Sequence, residues 1–354
     1  MAESNLRDTV TTVSIITGFL GSGKTTLMRN LLRDPVMKNA VVIVNEFGEI
    51  GLDHQLMDID GQNVVLLESG CICCSLDGSL VETLETLHQR RRAGRIPSFE
   101  RVLIETTGIA DPAPLIHELF DNRAVRLGVK LDRIITLVDA ASGWATLDRH
   151  DISVRQVALA NSILVSKADL VPPEAVAQLT ARLTAINPSA PILRSDNGVT
   201  EVGALFDDRH DMMFGDIPVR LAPKDRTPHA HDHHHHDRIS TEAIRFIDPL
   251  PLDGFNTWLE QTIAAYGDDL LRIKGILNIE GRSRPVVIHG VQRVFHPAVE
   301  LDSWPDADRS SRLVFILHDI SGNDLIRSLR RAVAPHDTAP VTARMSATSS
   351  PYPS

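Results

Sequence analysis

No stretch of this sequence approaches the roughly 18 apolar residues a membrane-spanning helix needs, so no membrane partner is expected. Cysteine is scarce: there are three in 354 residues, all within Cys71–Cys74. A cluster that tight cannot staple distant loops, which excludes a disulfide framework. Basic residues are also short. Thirty-six Lys and Arg face 46 Asp and Glu, a formal net charge of −10 with the 15 His neutral. That balance argues against a general nucleic-acid binder. The opening segment Met1–Thr11 is polar and carries two acids, so no secretory signal is expected there and the cytoplasm is the expected compartment. In that compartment the cysteine cluster reads as metal-binding or redox-active.

What is present suffices for a sizeable core, since 43% of the residues are hydrophobic. The length suggests two domains at roughly 100–200 residues each. Short apolar runs at Thr12–Thr17, Ala40–Asn45, Val64–Glu68, Arg101–Glu105, Ile134–Asp139 and Ser162–Ser166 read as buried strands. Helical patterns separate several of them: Thr25–Leu32, Leu80–Arg92, Pro114–Phe120, Val154–Ala160 and Glu174–Ile186. Strands without clean alternation, interspersed with helices, predict an α/β domain with a mostly parallel sheet over residues 12–206. Residues 207–238 read as a His-rich linker, and residues 1–11 and 334–354 as tails. A small α+β domain is expected over 239–333, with strands that include Arg272–Ile279, Pro285–Val291, Arg293–Glu300 and Arg312–His318.

Gly18-Phe19-Leu20-Gly21-Ser22-Gly23-Lys24-Thr25 fits the phosphate-loop pattern G-x-x-x-x-G-K-[ST], between a strand and a helix. Gly18, Gly21 and Gly23 let the backbone curl so that N–H groups, with those of Ser22 and Thr26, face phosphates. Lys24 adds a point charge at the β/γ-phosphates, and the Thr25 hydroxyl is the expected Mg²⁺ ligand. A P-loop NTPase domain follows. In Val102–Gly108, Glu105 ends a strand where it can position water or act through Mg²⁺-bound water. Gly108 can offer its N–H to the γ-phosphate. Ser166-Lys167-Ala168-Asp169 closes a later strand. A carboxylate there accepts from guanine N1–H and N2–H₂, a donor pair adenine lacks, and Lys167 can lie over the base, so GTP is favoured over ATP.

Cys71, Cys73 and Cys74 place thiolates at i, i+2 and i+3 on one turn, able to converge on Zn²⁺, Co²⁺ or Cu⁺. Without paired knuckles the site suits loading and release better than storage. Glu46 and Glu49 leave the second strand and are candidate oxygen ligands to Mg²⁺ or the transferred metal. His229, His231, His233, His234, His235 and His236 form a tract whose neutral imidazoles hold ions weakly and exchange them.

Together, G-F-L-G-S-G-K-T-T at Gly18–Thr26, N-E-F-G-E at Asn45–Glu49, G-C-I-C-C at Gly70–Cys74, I-E-T-T-G at Ile104–Gly108 and S-K-A-D at Ser166–Asp169 resemble the CobW / nitrile hydratase activator family of P-loop GTPases, in the metallochaperone branch that includes YjiA-like proteins. Arg272-Ile273-Lys274-Gly275 looks like the R-x-K-G stretch of that family's C-terminal domain. Ser166 stands where that motif more commonly has Asn. The resemblance implies a GTPase that binds Zn²⁺ or Co²⁺ at the Cys-x-Cys-Cys and delivers it to a metal-requiring client protein. It fixes neither the client nor an oligomeric state, and leaves open a cobalt chaperone for cobalamin synthesis or a nitrile hydratase activator. Two rivals stand beside it. A P-loop small-molecule kinase leaves the cysteines unused, and a His/Cys metal buffer leaves the nucleotide loop without purpose.

Overall fold

Strand β1 (Thr11–Gly18) is buried along nearly its whole length, as its apolar run without alternation requires. It is one of eight strands in the first sheet of the computed structural model, which describes residues 10–37, 39–45, 55–59, 62–69, 80–120, 128–195, 202–206 and 238–334. The others are β2 (Ala40–Asn45), β3 (Gln55–Ile59), β4 (Gln62–Ser69), β5 (Arg101–Glu105), β6 (Val129–Asp139), β7 (Ser162–Ser166) and β8 (Ile192–Arg194). Their spatial order is β3-β4-β2-β5-β1-β6-β7-β8. All neighbouring pairs run parallel except the antiparallel β3–β4. β1 has β5 on one side and β6 on the other, so connections diverge from it, and the crevice at its carboxyl end is where open α/β sheets bind ligands.

Helices α1 (Lys24–Leu31), α2 (Leu80–Arg92), α3 (Ala113–Leu119), α4 (Gly143–Arg149), α5 (Asp151–Leu159), α6 (Pro173–Ile186) and α7 (Val202–Leu205) cover the sheet. Strands β3 and β8 and helices α4 and α7 were not expected. The Asp60-Gly61 dipeptide between β3 and β4 is a hairpin signal that points to β3. Helix α4 follows Ser142, an N-cap residue type, but opens on a glycine. Its first residue, Gly143, packs so closely that an added Cβ would sit 2.7 Å from Val138 Cγ1.

The second sheet joins β9 (Ile239–Phe246), β10 (Leu270–Leu277), β11 (Val286–Val291), β12 (Val294–Phe295), β13 (Val299–Glu300) and β14 (Ser311–His318) in antiparallel pairs. The single strand expected over Arg293–Glu300 is corrected to the two short strands β12 and β13. Pro297 lies between them and has no N–H to give a ladder. Helices α8 (Leu252–Tyr266) and α9 (Gly322–Ala332) cover one face of this sheet, around Phe255, Trp258, Ile273 and Phe315. From the other face Leu271, Val291, Val294 and Ile316 join the core that also holds Ala158 and Leu159 of α5, so the two domains share apolar packing. Among the described residues no helix is long and apolar enough to cross a membrane.

His289 of β11 stands in register opposite Lys274, with its ring 4.1 Å from that of His296. Burial first, then the neighbouring His296, Arg272, Lys274 and Lys130, pushes its pKa down to about 3. An unfolded His takes a proton below about pH 6.5, and the folded one does not until far lower. The stability from keeping His289 neutral is therefore full above the unfolded pKa and falls as pH drops from there towards the folded value. At pH 5 the loss is about 2 kcal/mol. Urea titrations at pH 7.5 and 5.0 should show His289→Gln losing about that much less than the wild type on acidification. Equal losses would mean that other groups set the acid response.

Candidate functional site

The carboxyl ends of β1, β5 and β7 gather the candidate nucleotide residues in one place. Where β1 ends, Gly18 has φ +141°, and an added Cβ would lie 2.4 Å from the Leu137 carbonyl oxygen, so only glycine lets the loop pass this close to β6. Gly21 and Gly23 have φ of +73° and +95°. Gly23 precedes α1, and Lys24 is its first residue. The buried Lys24 Nζ donates to the carbonyl oxygens of Gly18 (2.8 Å) and Phe19 (3.1 Å), folding the side chain back over the loop. The Phe19 ring stacks on His150, at the start of α5, with centroids 4.5 Å apart.

Glu105, the last residue of β5, is 6% exposed and accepts a 2.9 Å hydrogen bond from Thr25 Oγ1. A hydroxyl and a carboxylate side by side beside a phosphate loop are the hard oxygen donors Mg²⁺ prefers, so the pair fits that ion. Next along the chain, Thr106 Oγ1 donates to Thr17 Oγ1 of β1 at 2.9 Å. Gly108 lies against the phosphate loop, where an added Cβ would sit 2.6 Å from Leu20 N.

The Ser166–Asp169 segment closes the other side. The buried Ser166 donates through Oγ to the Ser22 carbonyl at 2.7 Å, tying β7 to the phosphate loop. Lys167 takes the left-handed conformation (φ +56°) before a 3₁₀ turn over Ala168–Leu170. Gly23, Thr26, Ser166, Lys167 and Asp169 line one cleft of about 160 Å³. Asp139, at the end of β6, was not among the expected site residues. Its Oδ2 lies 2.6 Å from Lys167 Nζ, and its Oδ1 accepts from the Ala141 N–H at 2.8 Å. Burial alone raises the pKa of Asp139, but the Lys167 and Ala141 hydrogen bonds outweigh it and hold the carboxyl below its usual value. The ammonium expected over the base is thus held by Asp139. An acid ending an apolar strand was the available signal, but nothing nearby in sequence named its partner.

Glu46, Glu49, Cys71, Cys73, Cys74 and His229, His231, His233, His234, His235 and His236 lie outside the described residues. The strands leading into the first two segments, β2 and β4, end at the Glu105 end of the sheet, with Val44 in register with Glu105 and Asn45 with Ser69. Among the described residues, no group of three or more His, Cys, Asp or Glu is placed to hold a metal ion.

Comparison with known proteins bears on the same regions. Residues 12–194 match the model of the CobW/HypB/UreG nucleotide-binding domain, and residues 239–333 that of the cobalamin synthesis protein cobW C-terminal domain. The chain is 34% identical to the zinc chaperone YjiA of Escherichia coli over 86% of its own length and 93% of that protein's. To the zinc chaperone CobW of Pseudomonas aeruginosa it is 29% identical, over 91% of each. The crystal structure of Zn(II)-bound YjiA GTPase from E. coli superposes with a TM-score of 0.69, covering 91% of this chain and 98% of that one.

Proposed function

We propose that this chain, which belongs to the CobW/HypB/UreG family and carries a CobW C-terminal domain, is a GTPase that binds zinc and hands it to a metal-requiring client protein. One observation carries the reading: the phosphate loop, the Thr25–Glu105 pair and the Ser166–Asp169 cleft meet at the end of the sheet towards which β2 and β4 also run. GTP is the substrate and zinc the cargo. In this reading the loop N–H groups and Lys24 take the phosphates, and Asp169 takes the guanine edge. Gly108 offers its N–H to the γ-phosphate. Thr25 and Glu105 would hold Mg²⁺, which would supply charge neutralisation at the phosphates. Glu105 orients the attacking water.

Cys71, Cys73 and Cys74, with Glu46 and Glu49, are assigned to the cargo. A thiolate-rich set favours zinc over cobalt on intrinsic affinity, and the relatives named above are zinc chaperones. In this reading GTP favours zinc binding by Cys71, Cys73 and Cys74, and hydrolysis to GDP reverses that preference. Such a device is a two-state switch biased by one phosphate.

Linkage makes the idea testable, because GTP and zinc must then raise each other's affinity by one common factor. Zinc competition titrations with Mg²⁺ and a non-hydrolysable GTP analogue are expected to show at least about tenfold tighter binding than with Mg²⁺-GDP. The gain should vanish in Cys71→Ser/Cys73→Ser/Cys74→Ser and survive removal of residues 229–236. Equal zinc affinity in both nucleotide states would overturn the switch. Loss of zinc binding only with the His tract would make the protein a buffer.

A further inference from the structure

Helix α5 touches the nucleotide site at one end and the C-terminal domain at the other. Near its middle Gln156 is 1% exposed. Its Nε2 donates to the carbonyl oxygens of Ala110 (3.0 Å) and Gly108 (3.4 Å). Only the amide nitrogen can serve two acceptors in this way, since the amide oxygen has no proton to give. Arg155, next to it on the helix, places Nε 3.3 Å from Asp111 Oδ2 in the same loop. The loop after β5 is thus tied to α5 at Gly108, Ala110 and Asp111. Gly108 would otherwise have the widest backbone freedom of any residue type. Thr136 Oγ1 donates to the Gln156 carbonyl at 2.7 Å and pins the helix to β6.

The far end of α5 is held as firmly. Asn187 Nδ2 donates to the carbonyls of Val157 (2.9 Å), Ala158 (3.2 Å) and Ala160 (3.0 Å). The remaining carbonyl of that turn, Leu159, accepts from Arg272 Nη1 at 2.9 Å. Arg272 belongs to β10 of the C-terminal domain and is 2% exposed. A cation at a helix C-terminus is favoured by the helix dipole. A guanidinium buried this deeply is tolerable only because it is bonded. Two residues on, Lys274 Nζ donates to the Ser189 carbonyl at 3.3 Å. The R-x-K-G stretch therefore fastens the C-terminal domain to α5 and to the turn after α6.

We propose that Gln156 is a positioning residue for GTP hydrolysis, which holds the Gly108–Ala110 loop in the arrangement that meets the γ-phosphate, and that Arg272 anchors the helix carrying it. The proposal rests on the GTPase reading and deepens it, because the C-terminal domain then helps to set the geometry of the nucleotide site. GDP has no γ-phosphate and should not sense the change.

The test uses the full chain and three variants, Gln156→Met, Gln156→Glu and Arg272→Gln. For Gln156→Met, GDP affinity should stay within about twofold, while affinity for the GTP analogue and kcat each fall about tenfold, since misplacement of about 1 Å can cost up to 10²-fold. In Gln156→Glu, burial against two carbonyls raises the carboxyl pKa. The analogue-to-GDP affinity ratio should approach the wild-type value where the carboxyl is protonated and donates, and should fall as pH rises and a carboxylate faces the carbonyls. A purely structural role would not produce that pH profile. Arg272→Gln should lower the analogue-to-GDP affinity ratio in the same direction by about threefold. Equal weakening of both nucleotides by Gln156→Met, or no weakening of the analogue, would overturn the role of Gln156. An unchanged ratio in Arg272→Gln would overturn the anchor. If the wild type hydrolyses no GTP, the GTPase reading fails instead.

Discussion

Lys24→Ala is expected to cut kcat/KM for GTP by about 10³-fold or more while leaving the fold intact. The ammonium lies at the heart of the phosphate loop, 2.8 Å from the Gly18 carbonyl and 3.1 Å from that of Phe19. In the proposed reading the ammonium would turn from those carbonyls to the β/γ-phosphates and act on the negative charge that grows during phosphoryl transfer. Every 1.36 kcal/mol of lost transition-state stabilisation is a factor of ten, and a charged donor in a water-poor site supplies several of those. Alanine is a good helix former, so the first residue of α1 should keep its conformation. A malachite-green or HPLC assay of GTP turnover, with a melting curve alongside, checks both halves. A variant within threefold of the wild type would remove Lys24 from the mechanism. The same variant separates the two metal readings in cells, because a metal buffer keeps its phenotype without nucleotide and a GTP-driven chaperone loses it.

Asp169→Asn is the second large effect, a change of substrate rather than a loss of activity. The carboxylate has only acceptors to offer, and in the proposed reading guanine would present N1–H and N2–H₂ to it. The asparagine amide has one acceptor and one donor group. It meets guanine N2–H₂ with a like donor, but suits xanthine, which carries a carbonyl at that position. Leaving a site's polar groups mismatched costs up to about 10⁴-fold in discrimination. GTP affinity should fall by about 10³-fold, and xanthosine triphosphate should recover most of it. The surroundings of the residue favour a clean swap. The left-handed Lys167 and the 3₁₀ turn fix the backbone, and Asp139 holds the Lys167 ammonium at 2.6 Å. Unchanged GTP affinity, or no gain for the xanthine nucleotide, would remove guanine reading from Asp169.

Both residues are legible in the amino-acid sequence because each belongs to a contiguous motif. The phosphate loop needs glycines where φ is positive and a lysine at a helix start, and all of that falls within eight neighbouring residues. Glu105 and Asp169 are legible for a related reason, since each ends or follows a short apolar run that had to be a buried strand. The strand expected over Arg293–Glu300 failed on one residue, Pro297, whose missing N–H outweighs the apolar pattern around it. Helix α4 opens on Gly143, a poor helix former placed there by its close approach to Val138, a tertiary contact that weakens the local pattern.

The sequence by itself determined the α/β character of the first domain, the nucleotide loop and the residues able to carry chemistry, because strand burial, turn conformation and motif spacing are local properties. The tertiary structure alone decided who holds those residues in place. Lys167 and Asp139 are 28 positions apart, Gln156 and Gly108 are 48 apart, and Arg272 and Leu159 are 113 apart. A hydrogen bond across such a gap leaves no periodicity or spacing behind. It exists only once the parallel sheet has brought the strand ends together and the second sheet has packed its inner face on α5.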